Sequence, residues 1–387
     1  MALIARTSPA AVSDRRRPTP DVILFLAMVV LSALGVLMVY SASRGRLEAR
    51  GLDPTGEMVD QAIFAAVGLV LFFVASFIDY REWRNVTPFI YIATLIALSV
   101  VFLFDPVANA QRWIPLGSYQ LQPAEFAKAA MILVLASVLV PAKEEGMSWR
   151  RLTQTLVIVA IPSVLIYLEP DLGTMLVFAF ITIVMLFIGG TTFRQLTVLM
   201  AAAGAGMLAI WKLELLKDYQ IERLQSVFNP SAADPLGAAY NRIQSEIAIG
   251  SGGFFGKGLF LGTQTNLDFV PAQTTDFIFT AVGEQLGFVG GALVLLVYAV
   301  IMWRLVVIAV NARDRFGVLV VAGIAAMFAF HIYVNIGMTV GIAPVTGLPL
   351  PFMSAGGSTF VTMAISLGVA NSVWLRRSPV PGETYIV

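Results

Sequence analysis

The chain has 387 residues, of which 58% are hydrophobic and only 13% are charged, so it is far more apolar than a typical soluble domain. Its 25 Lys and Arg residues nearly balance its 24 Asp and Glu residues, which leaves no basic field to hold a nucleic acid. It has no cysteine and a single histidine, His331, so thiolate and multi-histidine metal centres are excluded. Any metal would be a hard cation held by oxygen ligands.

Ten apolar segments are each long enough to cross about 30 Å of hydrocarbon. Their approximate ranges are 21–42, 58–79, 86–105, 123–142, 152–168, 171–190, 193–215, 275–306, 316–343 and 355–375. The sequence therefore predicts an all-α polytopic membrane protein with about ten transmembrane helices. Its predicted organisation is an N-terminal segment at 1–20, a single transmembrane domain at 21–375 and a tail at 376–387.

The connections between these segments differ in basic content, and basic residues resist export. With the N-terminus inside, the inner connections hold fifteen Lys and Arg residues and the short outer loops hold four. Both termini are therefore predicted to be cytoplasmic. The long loop at 216–274 then lies outside.

That loop is the longest stretch between apolar segments, and its aromatic residues predict short helices against the outer face. Its glycine-rich part, 250–258, would be able to present backbone amides to an anion. A turn-rich connection without a ligand is the alternative.

Charged residues within or beside membrane-spanning segments cost free energy to bury, so each of them suggests a functional role. Glu125 and Lys128 open the fourth segment three residues apart, on one helix face. The alternative is a structural ion pair with Lys128 snorkelling to the interface. Asp171 precedes Leu-Gly-Thr and is predicted to cap the sixth helix.

Asp276 stands at the start of the eighth segment, where a simple helix cap is again the plain interpretation. Glu284 lies about 80° further around the same helix and two turns deeper. This second carboxylate makes a purely capping role for Asp276 a less satisfactory explanation. His331 and Asn335 lie four residues apart on the ninth helix, where hydrogen bonding is favoured over catalysis. The Gly- and Pro-rich segment 341–358 predicts non-helical backbone that walls an outward cavity.

Taken together and in order, the motifs of this chain resemble those of the SEDS family (shape, elongation, division and sporulation). The matching pieces are Gln111-Arg112-Trp113, Gln122-Pro123-Ala124-Glu125-Phe126-Ala127-Lys128, Pro170-Asp171-Leu172-Gly173-Thr174, Asp234-Pro235-Leu236-Gly237, Tyr240-Asn241, Ile247-Ala248-Ile249-Gly250-Ser251-Gly252-Gly253, Phe269-Val270-Pro271, Thr275-Asp276-Phe277-Ile278-Phe279, Pro349-Leu350-Pro351-Phe352 and Gly356-Gly357-Ser358. Ile78-Asp79-Tyr80-Arg81 and Asn335-Ile336-Gly337-Met338-Thr339 look more like the RodA branch than the FtsW branch. Ala355 and Gln285 depart from the family pattern, which usually has Tyr and Glu there.

The resemblance implies an inverting peptidoglycan glycosyltransferase that polymerises lipid II at the outer face of the bacterial cytoplasmic membrane. Its implied partners are a class B penicillin-binding protein, undecaprenyl-pyrophosphate-linked glycan and membrane lipids. The family's essential carboxylate falls on Asp276, as catalytic base. The candidates for substrate or pyrophosphate binding are Glu125, Lys128, Arg112, Arg223 and Lys257, with Glu284, Asp171 and Ser354 in support. A divalent cation such as magnesium or manganese near Asp276 or Glu125 is a further hypothesis.

Two rival functions remain open from the sequence. A lipid II transporter would use the same buried polar residues to line a path, although no pair of broken-helix repeats is obvious. A scaffold for cell-wall machinery would need no Asp276. A cell-division paralogue of FtsW type is the alternative within the family.

Overall fold

The computed structural model describes residues 19–106, 111–117, 119–141, 147–213 and 238–377. This part of the chain is almost entirely helical. Its helices are α1 (Val22–Ala49), α2 (Gly56–Phe77), α3 (Tyr80–Val100), α4 (Pro123–Leu139), α5 (Trp149–Leu168), α6 (Leu172–Ile188), α7 (Phe193–Lys212), α8 (Ala238–Gly252), α9 (Thr263–Asn266), α10 (Ile278–Val310), α11 (Arg315–Thr339) and α12 (Gly357–Leu375). A short hairpin pairs β1 (Ile114–Leu116) antiparallel with β2 (Tyr119–Leu121), and a 3-10 turn (Val101–Leu103) follows α3.

Each of the ten predicted spans coincides with a helix, namely α1 to α7 and α10 to α12. Within the described ranges, seven of these helices are long and apolar enough to cross a membrane: α1, α2, α3, α5, α10, α11 and α12. Of the other three, α6 and the Phe193–Ala209 part of α7 are apolar but shorter, and α4 has 17 residues and carries Glu125 and Lys128. The prediction of an all-α polytopic membrane protein is confirmed.

The last two helices form the centre of the bundle. In their apolar windows, 67% of the α11 residues and 78% of the α12 residues are buried, against 17% for α3. α12 packs closely on α2 because small residues let the two backbones approach. A Cβ added at Gly368 would lie only 2.5 Å from the carbonyl oxygen of Phe72. The peripheral helices surround this centre.

The first and last spans meet at one face of the bundle, which we call the terminal face. The Asp21 backbone N–H donates to Asn371 Oδ1 at 2.9 Å. Arg304 pairs with the Asp21 carboxylate at 2.6 Å, and Arg376 pairs with Asp79 at 3.2 Å. The chain therefore begins α1 and ends α12 at the same face. We call the opposite face, where α10 begins and α11 ends, the site face.

α10 is broken at Gly287, whose φ of 66° and ψ of −162° are not helical. The glycine-rich stretch after α8 fills the break. The backbone amides of Lys257 and Gly258 donate to the carbonyls of Glu284 and Gln285 at 3.0 and 3.1 Å. These carbonyls would otherwise lack a partner at the break.

The same contacts decide the role of the glycine-rich stretch. The amides of Gly253 and Gly256 donate to carbonyls within the stretch itself, and those of Lys257 and Gly258 donate to α10. Four amides are thus already bonded, which favours the turn-rich alternative over the anion site at 250–258. The predicted short helices of the long loop are represented by α8 and α9.

Candidate active site

Asp276 lies at the site face, in the turn that leads into α10. The backbone amides of Thr275, Asp276 and Phe277 all donate to the Ala272 carbonyl, at 3.3, 3.0 and 3.3 Å. α10 begins at Ile278 with Phe277 as its N-cap residue, and the Phe277 side chain makes no capping hydrogen bond. Asp276 therefore does not occupy the N-cap position that the plain interpretation gave it, and it lies in the turn rather than on the helix that carries Glu284. Its side chain is half-buried.

The non-helical segment 341–356 packs against this turn. Gly347 has a φ of +77°, and a Cβ added there would lie 3.5 Å from Asp276 Oδ2. The Ala355 N–H donates to the Thr274 carbonyl at 2.8 Å. Glycine adopts positive φ without steric penalty, so the backbone can approach the carboxylate closely here. The predicted non-helical segment is present and lies beside the Asp276 carboxylate.

Asn335 holds the turn and the segment together. Its buried side-chain amide donates to the carbonyls of Asp276 and Leu348, at 2.8 and 2.7 Å. One donor group thus fixes the backbone of the candidate base to the segment beside it. The prediction that Asn335 serves in hydrogen bonding is confirmed.

Glu125 and Lys128 form a fully buried ion pair. Lys128 Nζ lies 2.7 Å from Glu125 Oε1 and 3.0 Å from His331 Nε2. The other ring nitrogen of His331 lies 3.0 Å from the Pro349 carbonyl. A carbonyl oxygen only accepts, so His331 donates through Nδ1 and accepts from Lys128 through Nε2. Lys128 has no exposed surface, so it does not snorkel to the interface as the alternative interpretation had it, whereas the ion pair itself is present.

The buried pair and the Asp276 turn are attached to neighbouring points of the same scaffold. His331 and Asn335 lie one turn apart on α11, about 6 Å along the helix axis. Through them, Lys128 is tied to Pro349 and the Asp276 backbone is tied to Leu348. The ion pair therefore lies about one helical turn deeper than the candidate base.

Arg112 ties the hairpin region to the turn between α5 and α6. Its Nε donates to the Glu169 carbonyl at 2.9 Å, and its Nη2 donates to the Pro170 carbonyl. Gln122, which precedes α4, donates to Asp171 Oδ2 at 3.2 Å. Asp171 also accepts from a backbone N–H of the first turn of α6, so its predicted capping role is confirmed. Three motifs that are distant in sequence therefore meet.

The side chain of Glu169 is buried in this turn. It has no exposed surface, and among the described residues neither carboxyl oxygen has a hydrogen-bond partner. Burial raises the pKa of the Glu169 carboxyl to about 8, the Asp171 charge adds to this rise, and Arg112 opposes it. Glu169 is therefore largely protonated at neutral pH.

Glu284 fastens the long loop to α10. Its carboxylate is fully buried and lies 2.8 Å from Lys257 Nζ. It also accepts from the amides of Gln264 and Thr265, at 2.8 and 2.9 Å, where α9 begins. Gln273 bonds the Thr265 hydroxyl at 3.2 Å, which extends the network to the start of the Asp276 turn. Glu284 thus positions the loop that carries Asp276.

The remaining predicted residues are placed as follows. Ser354 is buried, and its hydroxyl accepts from the Leu350 N–H at 2.8 Å. It therefore stabilises the turn at 350–354 of the non-helical segment. Lys257 is committed to Glu284 and the Thr263 hydroxyl. Arg223 lies outside the described residues. The non-helical segment 341–356 is the common neighbour of Asp276, of Ser354 and, through His331, of Lys128. The Lys257–Glu284 pair instead links the stretch after α8 to α10.

Two members of this arrangement were missed from the sequence. His331 was not paired with Lys128, because 203 residues separate them; a lone histidine in an apolar span was the only signal. Gln273 was not singled out, because an amide in a loop has no distinctive pattern.

The metal hypothesis has a limited basis in the side chains. Over the described ranges, no group of three or more His, Asp or Glu residues could hold a metal ion. Magnesium is commonly bound by one or two carboxylates together with substrate phosphates. A cation at Asp276 or Glu125 would therefore take its remaining ligands from the substrate.

Comparison with known proteins identifies the family. A model described as the FtsW, RodA and SpoVE cell cycle protein family matches residues 21–378. The chain belongs to this family. It is the SEDS family, so the family predicted from the motifs is confirmed.

Two curated relatives and one solved structure show how far the similarity extends. Stage V sporulation protein E of Bacillus subtilis is 36% identical over 362 residues, covering 92% of this chain and 98% of that protein. Peptidoglycan glycosyltransferase MrdB of Escherichia coli is 36% identical over 362 residues, 92% of each chain. A chain from a peptidoglycan synthase complex, solved to explain the coordination of polymerization and crosslinking, matches with a TM-score of 0.76 at 30% identity, covering 93% of this chain and 98% of that chain.

Proposed function

We propose that this protein is a peptidoglycan glycosyltransferase that polymerises lipid II, with Asp276 as the general base. The observation that carries the proposal is the half-buried Asp276 carboxylate, held at the site face between the α10 turn and Gly347. Within the family, the relative MrdB bears the name peptidoglycan glycosyltransferase. The position of Asp276 and the similarity of the chain to MrdB therefore favour the same reaction.

The proposed reaction is a single displacement with inversion. A sugar hydroxyl of one substrate attacks the anomeric carbon of the other, and its proton passes to the Asp276 carboxylate. The new glycosidic C–O bond forms as the bond from the anomeric carbon to the phosphate oxygen breaks. The electron pair leaves with the lipid pyrophosphate, so no covalent enzyme intermediate is needed.

The leaving pyrophosphate needs compensating positive charge. Arg112 and Lys257 are the candidates with partly exposed side chains among the described residues; Arg112 is the stronger candidate, because the Lys257 charge is already balanced by Glu284. Lys128 is fully buried and bonded to Glu125 and His331, so we assign it an indirect role through the segment beside Asp276. Arg223 and a substrate-bound magnesium or manganese ion remain hypotheses.

The proposed setting is the bacterial cytoplasmic membrane, with the terminal face inside and the site face outside. The excess of basic residues in the terminal-face connections supports this orientation. A class B penicillin-binding protein is the proposed partner, because a matching chain comes from a synthase complex that coordinates polymerization and crosslinking. The RodA-like motifs favour a role in cell elongation over division.

A lipid II transporter is the second candidate, and the break in α10 favours it. Discontinuous helices commonly form the substrate sites of secondary transporters. Here the break at Gly287 is filled by the amides of Lys257 and Gly258, so it does not open onto a path. That filling favours the enzyme.

One reconstitution separates the candidates. The purified protein is placed in proteoliposomes with lipid II, with and without the transpeptidase partner and magnesium or manganese, and both glycan product and lipid II translocation are measured. The polymerase predicts glycan chains without dependence on translocation. Translocation without product would establish the transporter, and neither activity under any condition would favour a scaffold.

A further inference from the structure

A cavity of about 240 Å³ opens at the terminal face, remote from the site face. It lies between the first turns of α3, the end of α4 and the start of α11. Its lining includes Arg81, Arg84, Asn85, Val140, Arg315 and Phe316. The proposed polymerisation does not use it.

The cavity carries an excess of positive charge. Its only acidic lining residue, Asp314, accepts from the Tyr80 hydroxyl at 2.6 Å, from Arg81 Nε at 3.0 Å and from the Gly317 N–H at 2.9 Å. Asp314 therefore balances Arg81. Two further guanidinium groups, those of Arg84 and Arg315, line the cavity and form no salt bridge with an acidic residue in the described part of the chain.

These two arginines have spare hydrogen-bonding capacity. Arg84 is exposed, and its guanidinium carbon lies 6.0 Å from the centre of the Phe316 ring. Arg315 donates one N–H to the Ile188 carbonyl at 3.1 Å, while its Nε is buried and has no partner in the described part of the chain. An anion in the cavity would balance the charges of Arg84 and Arg315 and accept hydrogen bonds from their accessible N–H groups.

An apolar stripe leads away from the cavity along α3. Phe89, Ile92 and Ile96 follow Asn85 at helical spacing, so the four residues share one face. The three apolar side chains are 73%, 55% and 57% exposed. In a membrane protein such a surface faces lipid tails. The basic cavity therefore suits the anionic headgroup of a phospholipid, and the apolar stripe that leads away from it suits the acyl chains.

We propose that this cavity binds the phosphate headgroup of an anionic phospholipid in the leaflet at the terminal face, with the acyl chains along the α3 stripe. Basic pockets between transmembrane helices are recognised sites for such headgroups. The cavity is smaller than the roughly 300–1,000 Å³ of pockets that enclose drug-sized ligands, which fits a phosphate with its glycerol linkage better than a nucleotide. Inorganic phosphate shares the charge but has no acyl chains for the stripe.

The test uses the full-length protein in a neutral detergent. Its melting temperature and its bound lipid, by native mass spectrometry, are followed with added phosphatidylglycerol, phosphatidylcholine or inorganic phosphate. The variants are Arg84→Gln and Arg315→Gln, with Arg313→Gln as the matched control. Arg313 is an exposed arginine next to the same helix but outside the cavity lining.

Phosphatidylglycerol should stabilise the wild type, whereas phosphatidylcholine and inorganic phosphate should not. Each cavity variant should bind phosphatidylglycerol about fivefold more weakly, which corresponds to about 1 kcal/mol for one basic residue near a lipid surface, and Arg313→Gln should bind it normally. The Arg84 side chain is exposed and makes no hydrogen bond within the described residues, so Arg84→Gln keeps the test valid should Arg315→Gln fold poorly. Wild-type affinity in Arg84→Gln, or an equal loss in Arg313→Gln, would overturn the site. Equal stabilisation by inorganic phosphate would overturn the lipid assignment.

Discussion

Glu125 and Lys128 should behave as one unit in both stability and activity. In Lys128→Met, the Glu125 carboxylate stays buried and loses the ammonium 2.7 Å away, and His331 loses its donor at 3.0 Å. In Glu125→Gln, the Lys128 charge stays buried without its counter-ion. Removing one partner of a buried ion pair typically costs about 3–5 kcal/mol, whereas replacing both partners with neutral groups is often close to neutral.

The double variant should therefore be no less stable than the worse single variant, and its loss of polymerisation should be no larger. Stability is measured by reversible unfolding in mixed micelles and activity by glycan yield, in a double-mutant cycle. The control is the Arg46–Glu57 pair, whose side chains are 22% and 31% exposed, because water screens a partly exposed pair more than the buried one and its loss should cost less. Additive losses at Glu125 and Lys128 would refute their action as a unit.

The remaining predictions concern topology, protonation and the loop. The chain has no cysteine, so single cysteines report topology. Leu52→Cys should react with an impermeant thiol reagent from outside intact cells, and Arg313→Cys should react only after lysis. The reverse pattern would contradict the proposed orientation. The Glu169 pKa of about 8 lies above its ordinary 4.5, so the folded state holds the proton more tightly and its stability should fall as pH rises from about 5 to 8. Glu169→Gln should flatten this dependence in melting curves, whereas the exposed control Asp105→Asn should not; an unchanged slope would contradict the assignment. Glu284→Gln should lower the free energy of unfolding by about 1.5–3 kcal/mol, the value of a hydrogen bond to a charged group, and should reduce the glycan yield. A variant with wild-type melting would show that other contacts hold the loop.

The spans and caps were predictable because their causes are local. A run of apolar residues is sufficient to specify a spanning helix, and Asp171 bonds an amide only three residues away. The Glu125–Lys128 pair is likewise a matter of spacing within one helical turn. In each case, the interacting groups are neighbours along the chain.

The break in α10 and the contacts of the site were not predictable in the same way. Gly287 is one of several glycines in its apolar run, and what distinguishes it is the loop stretch inserted from 253–258. His331 meets Lys128 across 203 residues, and Glu284 meets the start of α9 across about twenty. Such contacts depend on tertiary packing, which hydrophobic periodicity does not encode. Asp276 was assigned from its family motif, whereas the structure explains what holds it: Asn335 on the backbone and Gly347 beside the carboxylate.

The most direct test of the central claim is the rate of glycan polymerisation by Asp276→Asn in proteoliposomes. Asn caps a helix about as well as Asp but cannot accept the proton of a sugar hydroxyl, so the variant should fold and bind lipid II. The matched control is Asp268→Asn, an exposed residue of the same loop whose φ of 57° asparagine tolerates. We predict that Asp276→Asn loses at least the roughly 10²-fold usually supplied by a positioned base, while Asp268→Asn polymerises normally. Near-normal polymerisation by a folded, lipid II-binding Asp276→Asn would contradict the proposed mechanism.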